Sequence, residues 1–518
     1  MKEIKLIAIG LMLSIQVQAQ LHGIDPDWYQ TVKTMPKFNT TWDASGAVAN
    51  SMVVDKNGRV LIFYTEENGG SSKHYYTGSN DNGITWNQPV PTEFLQSTKT
   101  SVNSTLSVDI DTSDIIHVIW SSRISKAVFY SNANATSLIW SDTLRIGTTL
   151  KNKIGFCQIT TDRKMRLHAY WNEGSPSGSD TAEVFYTRSI DGGANWSSQV
   201  MLSNGEGRHS AFPTGDFYGA NGDTLAIAWR DSIGPGAGGT QDWDVKMVTT
   251  SNGGLSWTLP FTVSGGTGMQ SDPAVIIDKN NTIHICYHLY PQPGAGVLDA
   301  QVFYGYSNDL GITWNPSGFT KISVNAIQSH LVKEAYDYEN DVVWYFYKDQ
   351  RDYVSPLDKR ADIMAVNITN NGTSISTQEF ISDADSNEVG FHNFKVGKDG
   401  IPRAHFFIIP YGTTSKTLYY TQRTPMSTGI NDNIFLTTNN LYIYPNPFSS
   451  STNLQVNQVI LSATLTVYNI YGQLVMQIDN LSGHTFIFNR DNLPSGLYFM
   501  ALSQDNKILA TNKLVITD

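Results

Sequence analysis

The feature that most constrains this chain is a pattern that recurs seven times between about residues 46 and 424. Each copy reads as an apolar strand, a tight polar turn, a second apolar strand ending near an aromatic, and a third strand rich in Phe and Tyr. The first two strands and their turn fall at 51–64, 106–120, 154–171, 213–229, 273–287, 332–347 and 394–409. The third strands fall at 73–76, 127–130, 183–186, 245–248, 301–304, 363–366 and 417–420, with their last residues 54 to 62 apart. A unit of this size cannot bury an apolar face alone and must stack on its neighbours. The spacing suits a four-stranded blade with long loops at one end, so the sequence predicts an all-β fold, a seven-bladed β-propeller with six blades as the alternative. The seventh unit lacks a fourth strand of its own, and the otherwise unassigned segment 28–42 is expected to supply it and close the ring.

Several third strands run into a second signature, Ser/Thr-x-Asp-x-Gly-x-x-Trp. It occurs as Ser79, Asp81, Gly83, Trp86; as Ser189, Asp191, Gly193, Trp196; and as Ser307, Asp309, Gly311, Trp314, with Asn252 replacing the Asp beside Thr250, Gly254 and Trp257. This resembles the Asp-box, or BNR, repeat of sialidase-like propellers. The physical reading is a hairpin turn: the carboxylate accepts turn N–H bonds, Gly takes a positive φ, and Trp caps the sheet. Asp81, Asp191 and Asp309 are therefore expected to be structural. The resemblance also implies an Arg clamp for a sialate carboxylate, a Tyr/Glu nucleophile pair and an Asp acid. The family's first-blade Arg position is occupied by Val48, which cannot pair with a carboxylate, so typical sialidase activity is not expected.

The two ends carry addresses. In residues 1–19, Lys2 and Lys5 precede a short apolar run, and Val17-Gln18-Ala19 makes a cleavage site, the layout of a signal peptide. After the propeller (20–424) and a polar linker (425–440), residues 441–518 alternate as short strands expected to form a small Ig-like β-sandwich. Three motifs there, Tyr444-Pro445-Asn446-Pro447-Phe448, Val467 to Val475 around Tyr471-Gly472, and Leu493-Pro494-Ser495-Gly496-Leu497-Tyr498-Phe499, resemble the C-terminal sorting domain of the type IX secretion system of Bacteroidetes. The resemblance implies the type IX machinery as a partner and a secreted or cell-surface location. No other segment is long and apolar enough to span a membrane.

A net charge of −11 argues against nucleic acid as a partner. The two cysteines, Cys157 and Cys286, sit inside apolar strands and read as buried thiols. No Cys/His spacing marks a zinc site. No cofactor is called for, a structural metal is left open, and a monomer is expected.

Candidate chemistry lies where first strands start and second strands end, since these share one face of a propeller and bear most of the charge. Candidate catalytic residues are Glu66, Glu173, Asp231, His209, His288 and Tyr287. Candidate substrate-binding residues are Arg123, Arg208, Arg230, Lys348, Arg351, His330 and His392, and Asp272 and Glu334 open strands on the same face. Clustered arginines predict an acidic glycan as ligand. Three functions fit. The first is a glycoside hydrolase of sialidase-like fold using two carboxylates. The second is a polysaccharide lyase acting on uronates by β-elimination, with His or Tyr moving protons and Arg neutralising the carboxylate. The third is a non-catalytic propeller that binds a glycan or a protein.

Overall fold

The computed structural model describes residues 24–29, 33–36, 43–46, 51–68, 71–92, 105–122, 125–149, 151, 154–174, 181–205, 207–232, 243–265, 268–291, 299–324, 328–350, 361–382, 387–410, 416–424, 441–504 and 507–518. Residues 1–19, where a signal peptide is expected, and Arg123 and Arg351 lie outside these residues, as does the side chain of His392. The chain is all-β and divides into two compact units, 1–425 and 426–518.

The N-terminal unit is a succession of antiparallel meanders. The second sheet shows the plan: Leu106–Ile110, Ile115–Ser122, Ala127–Asn134 and Leu144–Thr148 pair in order. The fifth sheet repeats it with Met269–Ile277, Ile283–Tyr290, Gln301–Ser307 and Asn315–Lys321. Through Trp243 opposite Met269 it is continuous with the fourth (Ser210–Thr214, Leu225–Ser232, Trp243–Thr250 and Phe261–Ser264), and the sixth starts with Ser329–Asp337 and Val342–Asp349. Innermost strands of successive sheets lie side by side, and Asn387–Val396 of the last sheet lies against Met52–Val54 of the first. The outer edge of the last sheet is filled by Lys33–Thr34, paired antiparallel with Tyr420 and Tyr419. Trp28 anchors this segment: it is fully buried, bridges to Arg423, and donates Nε1–H to Glu379 Oε2 at 2.7 Å. Pairing the edge removes a row of open N–H and C=O groups.

Local chemistry explains the turns. Between first and second strands an Asp accepts two turn amides, as Asp111 does from Ser113 N and Ile115 N (2.8 and 2.9 Å) and Asp278 from Asn280 N and Thr282 N (both 2.8 Å). Six residues after three of these Asp stands a buried His that joins the carboxylate to a third-strand Tyr. His117 links Asp111 (3.4 Å) to Tyr130 (2.8 Å), His168 links Asp162 (3.0 Å) to Tyr186 (2.8 Å), and His284 links Asp278 (3.2 Å) to Tyr304 (2.8 Å). The turn between third and fourth strands docks on the Tyr of the preceding sheet. A Cβ on Gly193 would stand 2.1 Å from the Tyr130 hydroxyl, and Trp196 meets the Tyr130 ring edge-on at 5.1 Å. Gly83 and Trp86 of the first sheet sit the same way on Tyr420 of the last. Within these turns Asp81 accepts from Ser79 Oγ (2.8 Å), Thr85 N (2.9 Å) and Thr85 Oγ1 (2.5 Å); Asp191 and Asp309 repeat the pattern. Turn hydrogen bonds pull the Asp191 carboxyl down to about 2.

Inside the ring, Lys395 of the last sheet reaches Asp109 of the second (3.1 Å) and Asp216 of the fourth (3.7 Å), all three buried. The two carboxylates hold the ammonium charged despite burial. Cys157 and Cys286 are free and buried.

In the C-terminal unit the long strand Ser451–Asn469 pairs with Leu441–Tyr444, Leu474–Asn489 and Gly496–Gln504, and Lys507–Ile516 completes the order. Leu454, Val467, Phe488, Met500 and Leu514 form its own core.

Candidate active site at the open ends of the fourth to sixth sheets

The first strands of the fourth, fifth and sixth sheets each break register near their start, between Ala211 and Thr214, Ser271 and Ala274, and His330 and Lys333. At each bulge a non-glycine residue takes the left-handed backbone: Phe212 (φ 58), Asp272 (φ 46) and Leu331 (φ 56). Such a residue costs on the order of 1–3 kcal/mol and re-aims a side chain, a pattern that clusters at functional sites.

Arg230 lies opposite Ala211 near the end of its strand, with its guanidinium 4.0 Å from the Phe212 ring and 4.7 Å from the Trp243 ring. Its Nη1 donates to Ser271 Oγ at 3.0 Å and stands 3.9 Å from Asp272 Oδ1. Burial pushes its pKa down and Asp272 opposes this, but an Arg keeps its charge. His288, 3% exposed, directs Nδ1 toward Asp272 Oδ2 at 3.9 Å. Burial lowers its pKa, Asp272 works against that, and Arg230 adds to it, so the ring is neutral near neutral pH. Tyr290, two residues on and on the same side of the strand, meets His288 edge-on at 5.1 Å. The Tyr290 hydroxyl is 3.0 Å from His330 Nδ1 and accepts from Gln328 Nε2 at 2.8 Å; burial pushes it up to about 12. One cation from the fourth sheet is thus brought together with a neutral imidazole and a protonated phenol from the fifth, and His330 of the sixth stands beside the phenol.

The other expected residues stand elsewhere. Tyr287 faces the opposite side of its strand from His288: its ring packs against Phe319 and its hydroxyl accepts from Ser264 Oγ at 2.8 Å. Alternation along the strand puts Tyr287 in the core and Tyr290 in the site. Asp231 is held by Ser210 Oγ (2.6 Å), Lys246 (3.1 Å) and Arg208 (3.8 Å). His209 is buried and accepts the Ala182 amide at 3.2 Å. Glu173, in the third sheet, accepts from Thr149 Oγ1 (2.5 Å) and Gln199 Nε2 (3.3 Å), and burial raises its pKa. Glu66 is buried in the first sheet, opposite Lys73. Lys348 is buried opposite His330. In the same way His74 touches Thr65 Oγ1 and His405 touches Ser51 Oγ, and burial lowers these rings to about 4 and about 3.

A cavity of about 310 Å³ opens on the axis at the other end of the strands, where Asp109, Asp111 and Asp162 contribute to its wall. Those carboxylates are already engaged by Lys395, His117 and Arg166. Among the described residues no group of three or more His, Cys, Asp or Glu is placed to hold a metal, and no helix is long and apolar enough to cross a membrane.

The fold and the tail place this chain among exported all-β proteins of propeller type. Residues 442–517 match the secretion system C-terminal sorting domain, and the protein is exported by type IX secretion to the cell surface or the medium. No curated protein matches the chain at a significant level. Among solved structures it is similar to a polysaccharide lyase, an ulvan lyase. Bound to an oligosaccharide of glucuronic acid and 3-sulfated rhamnose, that enzyme aligns at a TM-score of 0.50 and 13% identity over 73% of this chain and 94% of its own. A second structure of the lyase aligns at 0.52 and 12%, over 75% and 95%. The NanB sialidase of Streptococcus pneumoniae aligns at 0.38 and 13%, over 73% and 68%. At these identities the likeness is one of fold.

Proposed function

We propose that the N-terminal unit is a seven-bladed Asp-box propeller that acts on an acidic polysaccharide, and that it cleaves uronate-containing chains by β-elimination. The C-terminal unit is then an Ig-like sandwich serving as the secretion address. The observation that carries the reading is Arg230: a guanidinium largely removed from water and packed on two aromatic rings, near His288, which in turn meets Tyr290 and His330. Elimination needs a cation to neutralise the uronate carboxylate, which acidifies the adjacent C5 proton. Neutral His288 takes that proton. The C5–H and C4–O4 bonds break, C4=C5 forms, and the Tyr290 hydroxyl, which burial keeps protonated, protonates the departing oxygen. The proximity of His330 Nδ1 gives Tyr290 a route to regain its proton.

The likeness in fold to a lyase whose bound ligand contains glucuronate supports this reading. The hydrolase reading is the weaker one. It needs two carboxylates on either side of one bond, whereas Glu66, Glu173 and Asp231 belong to the first, third and fourth sheets. The test is incubation with a panel of uronate and neutral polysaccharides, following both new reducing ends and ultraviolet absorbance of unsaturated uronate. Absorbance rising with reducing ends supports elimination; reducing ends without absorbance would make the protein a hydrolase, and binding without either a lectin-like propeller.

A further inference from the structure

We infer that Asp272 is a positioning residue, whose carboxylate stands between Arg230 and His288 and fixes which nitrogen of the imidazole is presented to substrate. The inference rests on the elimination reading, in which His288 is the base. The left-handed bulge is common to three sheets, but its side chain differs: Phe212 in the fourth, Asp272 in the fifth, Leu331 in the sixth. The backbone therefore belongs to the repeat, and the carboxylate is particular to the one sheet that carries His288. Its two oxygens face different partners. Oδ1 accepts from Ser271 Oγ at 3.2 Å and lies 3.9 Å from Arg230, and Oδ2 lies 3.9 Å from His288 Nδ1.

His288 Nδ1 is buried and has no hydrogen-bond partner among the described residues, so the approach of Asp272 is the interaction that distinguishes its two nitrogens. A carboxylate on the Nδ1 side favours the proton there and leaves the lone pair on Nε2. A 3.9 Å gap is longer than a hydrogen bond, and contacts of this kind commonly tighten when substrate arrives. The other groups facing His288 are Arg230 from the fourth sheet, Tyr290 on its own strand, and His330 from the sixth sheet, with ring centroids 6.1 Å apart. Lys333 acts on Asp272 itself. Arg230 opposes the imidazolium and Asp272 favours it, so removing the carboxylate leaves the repulsion unbalanced.

The experiment is an NMR titration of the His288 imidazole in full-length wild type, Asp272→Asn and Asp272→Glu, with pH–rate profiles on a uronate polysaccharide. Asn tolerates the left-handed backbone as Asp does, so the bulge is kept. The Asn variant is expected to titrate at lower pH than wild type, to lose at least tenfold in kcat with little change in KM, and to melt normally. The Glu variant should recover part of both. A residue that merely braced the bulge would leave the titration midpoint in place, and an unchanged midpoint overturns the inference whatever the activity. If the midpoint falls but no variant, wild type included, makes unsaturated product, elimination is wrong and the role of Asp272 at the imidazole stands.

Discussion

One hairpin of the fifth sheet, Met269–Ile277 with Ile283–Tyr290, carries an Asp–His pair at each end, and the two ends differ in kind. At the turn, Asp278, His284 and Tyr304 are buried and joined at 3.2 and 2.8 Å, and the Asp278 carboxylate also takes two turn amides. The arrangement recurs in the second and third sheets, where the Tyr supports the next sheet's glycine. At the open end, Asp272 and His288 stand 3.9 Å apart and Arg230 rests on aromatic rings. A triad of Asp, His and Tyr is therefore no mark of catalysis in itself. Where every donor and acceptor is satisfied, the group is a fastener. Where a partly buried cation and a buried imidazole keep capacity to spare, the arrangement is prepared for a ligand.

The comparison can be broken by removing parts from either end. The largest effect is expected for Arg230→Ala, which should lower kcat/KM on the acidic glycan by roughly two to three orders of magnitude. Its thermal midpoint should move little; a folded variant with full activity would return Arg230 to the role of a brace. Next comes acid. The folded values of His74 and His405, about 4 and about 3, lie below the 6.5 of an exposed ring. The unfolded chain therefore takes up protons first, and the stability these rings contribute is present above about 6.5 and lost as pH falls through the folded values. At about 1.4 kcal/mol per unit this amounts to several kcal/mol. Denaturant titrations between pH 7 and pH 4 should show it, and a flat profile would mean that other groups compensate.

Third, His284→Phe should cost about 1–3 kcal/mol, because Asp278 and Tyr304 lose a buried partner. The folded fraction should keep wild-type kcat; a fall in kcat without a fall in stability would erase the distinction between the two ends. The smallest effect is expected for Asp81→Ala, whose carboxylate serves its own turn: a slightly lower melting temperature with activity unchanged.

The meanders were legible because strand alternation and turn chemistry act over a few residues. The Asp at each first turn and the Ser-x-Asp-x-Gly-x-x-Trp hairpins are written locally, so their geometry follows from the residue string. The site was legible only in part. Arg230, His288, His330 and Asp272 could be placed at the open ends, but strand direction was not carried through to the neighbours. Tyr287 and His288 are adjacent, so they point to opposite sides, and the same rule selects Tyr290. The bulges were hidden, because Phe212 and Leu331 are residues that rarely take a positive φ. The fasteners were hidden too: each spans two strands and the turn between them, and only a six-residue Asp-to-His spacing in three units betrays it.

The pairing of Lys33–Thr34 with the last sheet bears on how the protein comes into being. Asp27 and Arg423 form an ion pair across 396 residues of chain. The strand Lys33–Thr34 thus waits for residues nearly 400 positions later before it has a neighbour, and closing so long a loop is a late, slow event. A nascent polypeptide that has not reached Tyr419 has an open edge and cannot yet be sealed. Closure of the ring is in effect a receipt that the chain through Arg423 has arrived, and proteolytic resistance of the N-terminal unit should appear in one step once that residue is reached rather than sheet by sheet.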